Sequence, residues 1–171
     1  MTHDSTQLTS ALRARLLDTP LWEFALALYA RRGVEAACLV LQDEAGVDVC
    51  ELLWHCWLYH HGLACEECPD HVRRWQQQVT APLRRLRRDL KPEARLHEPV
   101  AALRRTLQQA ELQAERETLS RLERLALESD RLWALPSPSP RLEDHLSRQL
   151  QVQKKPHLSA LQGLESQLDP S

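Results

Sequence analysis

LWEFALALYARRGVEAACLVLQDEAGVDVCELLWHCWLYHHGL, residues 21–63, decides the fold class of this chain. The stretch holds six of the eight aromatic residues (Trp22, Phe24, Tyr29, Trp54, Trp57, Tyr59) and three of the four glycines. Its apolar residues fall in blocks the length of short helices, closed by Gly33, Gly46 and Gly62. Glycine reaches the left-handed conformation that ends a helix without the steric cost of a Cβ. Just ahead, Asp18-Thr19-Pro20 offers two capping side chains and then a proline at the first helical position. Helices are therefore predicted from Pro20 to Arg31, from Val34 to Glu44, and from a capping Asp48 to Gly62. The expected core is Trp22, Phe24, Tyr29, Leu52, Leu53 and Trp57. On the third helix Glu51 and His55, spaced i,i+4, mark a narrow solvent-facing edge.

Working outward, an amphipathic helix precedes this block over about Gln7 to Leu17. After it, Val72, Trp75, Val79, Leu83, Leu86 and Leu90 recur at spacings of 3 and 4, the stripe of an amphipathic helix. Pro82 interrupts the stripe and removes a backbone donor, so a kink or two abutting helices is expected there. A second long helix follows from Glu98 to Leu135, about 55 Å at 1.5 Å per residue. Leu103, Leu107, Ala110 and Ala114 lead its apolar face, handing over to Leu112, Leu119, Leu122, Ala126 and Trp133. PSPSP at 136–140 reads as a stiff, solvated linker. The fold class is all-α: a multi-helix core of short helices plus a longer helical hairpin and a proline-linked C-terminal tail. The expected organisation is one helical domain over 7–134, a Pro/Ser linker at 135–140, and a polar, flexible tail over 141–171.

The net charge of −2 conceals an uneven distribution. Residues 1–70 carry 4 basic against 11 acidic residues, whereas residues 71–105 carry 10 basic against 3 acidic. An acidic half beside a basic segment either pairs within the fold or leaves the cations for an anionic partner. The start, MTHDSTQLTS, lacks the basic and apolar regions of a secretory leader. The most apolar run, Val47 to Ala64, contains Asp48, Glu51 and three histidines, so no membrane span is expected. Five cysteines, an odd number confined to residues 38–68, do not form a secreted disulfide framework. The expected compartment is a reducing cytoplasm.

Two constellations carry chemistry. His61, Cys65, Cys68 and His71 follow the pattern H-x3-C-x2-C-x2-H, a nitrogen and sulfur set of the kind zinc takes. Cys65 and Cys68 also form a Cys-x-x-Cys pair capable of a reversible disulfide. The competing explanation is a polar connector without ligand chemistry, and no cofactor other than zinc is indicated. Arg84, Arg85, Arg87, Arg88 and Lys91 form the second, facing away from the leucine stripe where guanidinium forks suit phosphates. No aromatic interleaving accompanies them, and a solvated face is the alternative. Asp43, Glu44 and Asp48 around Gly46 do not match the spacing of a calcium loop and are read as helix closure and capping. Catalytic signatures are missing: no glycine-rich phosphate loop, no nucleophile motif and no HExxH.

LWEFALALYA at 21–30, GVEAACLVLQD at 33–43 and Gly46-x-Asp48-Val49 with the Leu/Trp-rich helix after it resemble a bacterial family of small helical proteins of unknown function. The resemblance extends through Trp75, Pro82-Leu83-Arg84-x-Leu86-Arg87 and Ala110-Glu111-Leu112-x-Ala114-Glu115, covering residues 19 to 130. In that family's pattern an asparagine follows the Asp-Val pair, and a proline follows the Tyr-Ala pair by two. Here those places hold Cys50 and Arg32. The resemblance implies an all-helical cytoplasmic protein and brings no reaction, cofactor or catalytic residue. The expected role is a non-catalytic protein-interaction or adaptor module, with a protein partner or self-association through the long helices. RNA or ribosome association through the 73–105 cations and zinc- or redox-responsive regulation through Cys65 and Cys68 are the alternatives. Neither a membrane nor a small-molecule substrate is expected.

Overall fold

Asp48 does what its position predicts: its Oδ1 accepts from the backbone N–H of Glu51 at 2.9 Å and caps the helix Val49–His60. In the computed structural model, residues 2–67 and 69–168 are described, with side chains from residue 9 onward. The elements are α1 (Thr2–Leu17), α2 (Leu21–Tyr29), α3 (Val34–Ala45), α4 (Val49–His60), β1 (Leu63–Cys65), α5 (Asp70–Trp75), α6 (Ala81–Asp89), α7 (Lys91–Ala94), α8 (Glu98–Glu128), β2 (Leu132–Ala134), α9 (Leu142–Gln149) and α10 (Lys155–Gln167). The fold is predominantly all-α, as the sequence implies. The chain divides into two compact units, unit 1 (residues 1–67 and 123–171) and unit 2 (68–122).

Unit 1 is built on α4, whose Leu52, Trp54, Cys56 and Trp57 are wholly buried. The α3 closure follows the glycine rule: Gly46 adopts φ 68°, and the Gly46 and Val47 N–H groups donate to the carbonyls of Gln42 and Leu41. Gly33, at φ 81°, stands at the start of α3; α2 ends earlier, at Tyr29. Two expectations for α2 need correction. Its inward face is Leu21, Ala25 and Leu28, while Trp22, Phe24 and Tyr29 are half-buried and Leu26 is half exposed. Large rings at 22, 24 and 29 do not share one helical face, and the smaller residues at 21, 25 and 28 do. The cap also differs: Asp18 and Thr19 make no side-chain cap, Pro20 holds the cap position, and the Leu21 N–H donates instead to Glu123 Oε2 at 2.5 Å.

A two-stranded antiparallel ribbon, Leu63 opposite Ala134 and Cys65 opposite Leu132, was not foreseen. The helix expected to reach Leu135 stops at Glu128 because Ser129 diverts the backbone. Its Oγ accepts from the Arg131 N–H and donates to Glu67 Oε1, both at 2.8 Å, and Arg13 Nη2 donates to its carbonyl at 3.1 Å. Trp133 therefore stands in a strand, not on the helical stripe.

The segment expected to be a flexible tail is helical and packed. Leu142, Leu146, Leu161 and Leu164 are fully buried, and α10 lies against both α3 and α9. His157 Nε2 meets Glu44 Oε2 at 3.3 Å, and the Arg31 guanidinium donates to the Gln167 carbonyl. Leucine spacings of 4 in α9 and 3 in α10 supply the apolar faces that outweigh the polar composition.

In unit 2 the proline disturbance appears upstream of Pro82. Residues Gln76–Thr80 form a π turn between α5 and α6. The Pro82 ring would crowd the carbonyl four residues back, and widening the preceding turn relieves that clash without ending the helix. Partners across the unit run in opposite directions: Trp75 Nε1 donates to the Ala114 carbonyl at 3.2 Å, and Arg104 Nε donates to the Arg87 carbonyl at 3.1 Å. The α5–α6 arm and α8 thus form an antiparallel hairpin that turns through α7. Arg121 lies 4.1 Å over the Trp75 ring, a cation–π contact. Thr118, fully buried, places its Oγ1 3.1 Å from Gln76 Oε1 and 3.0 Å from the Ala114 carbonyl.

Candidate interaction surface

On α6 the geometry of PLRRLRRDLK follows from about 100° of rotation per residue. Taking Leu83 as origin, Arg87 falls only about 40° away and Arg84 about 100°, whereas Arg88 and Arg85 lie beyond about 140°. Arg87 and Arg84 therefore border the apolar stripe and reach the facing arm. Glu111 and Glu115 on α8, spaced i,i+4, meet them there. Arg84 Nε donates to Glu111 Oε1 at 3.0 Å and its Nη2 to Glu115 Oε1 at 2.8 Å; Arg87 Nε donates to Glu111 Oε2 at 2.5 Å.

The Glu111 side chain is only 9% exposed, and the arginines are 26% and 21% exposed. Burial pushes the Glu111 carboxyl up, but the hydrogen bonds and charges of Arg87 and Arg84 outweigh it and hold it below the usual carboxylate range. Burial works against the Arg84 cation too, and its bonds to Glu111 and Glu115 more than restore it. Hydrogen bonding to Glu111 raises Arg87 above its ordinary value. The five cations expected to face outward thus divide. Arg84 and Arg87 are internal partners of α8, while Arg85, Arg88 and Lys91 are exposed.

Turning Arg84 and Arg87 inward rotates the far edge of the stripe outward. Leu86 is 48% exposed, and around the hairpin turn Leu96 is 80% and Leu103 50% exposed; Leu112 on α8 is 53% exposed. An open cleft of about 500 Å³ lies beside Leu112, lined also by Arg87, Arg105, Gln108, Gln109 and Glu115. Arg105 is held at its rim by Glu98 at 2.7 Å. The sequence reading missed Glu111 and Glu115 as counterions. Their signal was available in the i,i+3 arginines of one arm facing i,i+4 glutamates of the other.

The Cys/His constellation is not assembled among the described residues. Cys65 is buried in β1; burial pushes its thiol up, and its interactions with the Glu67 backbone and the Ser129 side chain offset this only in part. His61 is half-buried at the end of α4, and burial, then the neighbouring His60, lower it against the pull of Asp18. His71 is exposed on α5, and Cys68 lies outside the described residues. Among the described residues no three His, Cys, Asp or Glu side chains converge on a metal position. Glu51, expected on an exposed edge, is 7% exposed, because α4 is covered on nearly every side; His55 is half-buried, 4.9 Å from the Trp54 ring.

Among the described residues no helix is long and apolar enough to cross a membrane. No curated protein and no solved structure matches the chain. The profile of a family described as protein of unknown function (DUF2390) matches residues 20–122, which takes in α2 to α4, the hairpin turn and most of α8. By that match over more than half its length, the chain belongs to the DUF2390 family of proteins of unknown function.

Proposed function

We propose that the protein is a non-catalytic helical interaction module whose unit 2 hairpin docks on a protein partner. The observation that supports this is the division of labour on the hairpin. Glu111 and Glu115 pair with Arg84 and Arg87 internally and fix the two arms, while Leu86, Leu96 and, on opposite flanks of α8, Leu103 and Leu112 stand outside that framework, each about half exposed or more. Exposed leucines that the fold does not bury are free to give their hydrophobic energy to a partner. The neighbouring cleft is too open to exclude water from a reacting group, which favours docking over catalysis.

Affinity capture from native lysate tests it, comparing the wild-type chain with Leu96→Glu, a change at an 80% exposed position that should leave the fold intact by circular dichroism. A partner held by the wild type and lost by the variant is expected. A partner retained equally by both removes the hairpin from the interface. RNA association through the 73–105 cations is the weaker reading: seven of those ten are exposed, but Arg84 and Arg87 are turned to Glu111, and the single aromatic ring among them, Trp75, is covered by Arg121.

A further inference from the structure

We propose that the protein associates head-to-tail with a second copy of itself, the cationic leucine-bearing turn of unit 2 in one copy seating on Leu26 of α2 and the carboxylate-flanked Leu39 of α3 in the next. This rests on the docking role of the hairpin and names its partner. The two units carry opposite charge: unit 2 holds 12 basic against 7 acidic residues, unit 1 holds 10 basic against 17 acidic.

The exposed leucines follow the same division. Around Leu86 and Leu96 the exposed cations are Arg85, Arg88, Lys91 and Arg95; Asp89, Glu93 and Glu98 lie among them and reduce the charge without cancelling it. On α3 the solvent-facing row is Glu35, Leu39 and Asp43 at spacings of 4, with Leu39 42% exposed. On α2 it is Glu23 and Leu26, with Leu26 51% exposed and Arg31 and Arg32 beyond the helix end. A lone exposed leucine is ordinary. Leucines set in a unit with an excess of cations and leucines set in a unit with an excess of carboxylates form a matched pair of surfaces. Either surface against its own copy would place like charges together, so the favoured contact is heterologous, joining two different patches.

A heterologous contact makes a prediction that a symmetric one does not. Light scattering of the full chain at low salt should show mass rising with concentration, returning to the monomer value near 1 M salt, where screening extends only about 3 Å. The double variants Lys91→Glu/Arg95→Glu and Leu39→Lys/Asp43→Lys should each be monomeric and, by circular dichroism, folded. Mixed in equal amounts they should form a two-chain complex, because each supplies the face the other lacks. A wild type that stays monomeric at every concentration overturns the proposal, as does a mixture of the folded variants that does not pair. If Leu96→Glu still loses a captured partner while the wild type is monomeric, the docking role stands and self-association falls.

Discussion

The backbone N–H of Leu21 donates to Oε2 of Glu123 at 2.5 Å, so a carboxylate 102 residues further along the chain caps the helix that opens the aromatic-rich segment. Negative charge suits a helix N-terminus, where unpaired N–H groups and the macrodipole converge. Glu123→Ala should destabilise the protein by about 0.5–2 kcal/mol, the usual cost of losing a cap. Glu123→Gln, which keeps an acceptor but not the charge, should cost less. Urea titrations of the three proteins measure this, and an alanine variant as stable as the wild type would show that the cap contributes nothing.

Glu111 faces two guanidinium groups, and removing it leaves Arg87 without its counterion and Arg84 with Glu115 alone. Glu111→Ala should cost about 1–3 kcal/mol, below the figure for a fully buried pair because the arginines keep some water contact. Arg85→Ala, on the exposed side of the same helix, should change stability by less than about 0.5 kcal/mol. Hydrogen exchange along α6 and α8 locates the effect: faster exchange near residues 84–88 and 108–115 in the first variant only. Equal effects from both substitutions would mean that the buried network does not hold the arms.

Leu161 and Leu164 on α10 are fully buried in unit 1, although composition reads this segment as a loose tail. Leu161→Ala should therefore cost about 2–5 kcal/mol, as for any large-to-small change in a packed core. An unpacked tail would register almost nothing. Thermal unfolding of this variant beside Leu52→Ala, at the centre of α4, decides whether α10 belongs to the same cooperative unit.

What the sequence makes legible here is local chemistry. Asp48 as a cap, Gly46 as a helix stop and the buried Leu52, Leu53 and Trp57 all follow from short-range rules, and they survive in the structure. What it conceals depends on which distant surface arrives. Arg84 and Arg85 are neighbours with the same side chain, yet one is bound to Glu111 and the other faces solvent, because α8 lies on one flank of α6. The same applies to Glu51, which turns from an edge residue to a buried one once α4 is covered, and to Ser129, whose bonds to Glu67 and Arg131 end a helix that periodicity alone would extend. The proposed docking surface is half legible: its cations and leucines stand out in the chain, but the inward turn of two arginines, and so the exposure of Leu86, does not.

Acid should act on the protein in two separate steps. Burial lowers both His61 and His145 from their ordinary value, so the unfolded chain binds protons before the folded one does. Stability is therefore complete above about 6.5, the unfolded histidine value, and declines as pH falls from there toward the lowered folded values. Glu111 acts at lower pH. Its carboxyl is held below the unfolded value of about 4.3, so its contribution is present above that pH and is lost as pH falls through the folded value. Denaturant midpoints between pH 7.5 and 3 should fall first with the histidines and again with Glu111. Replacing His61 and His145 together by glutamine should flatten the first decline and leave the second, while Glu111→Gln should do the reverse. If the double histidine variant loses stability over pH 6.5–5 as steeply as the wild type, those two imidazoles are not the groups that titrate, and the first step must be assigned elsewhere.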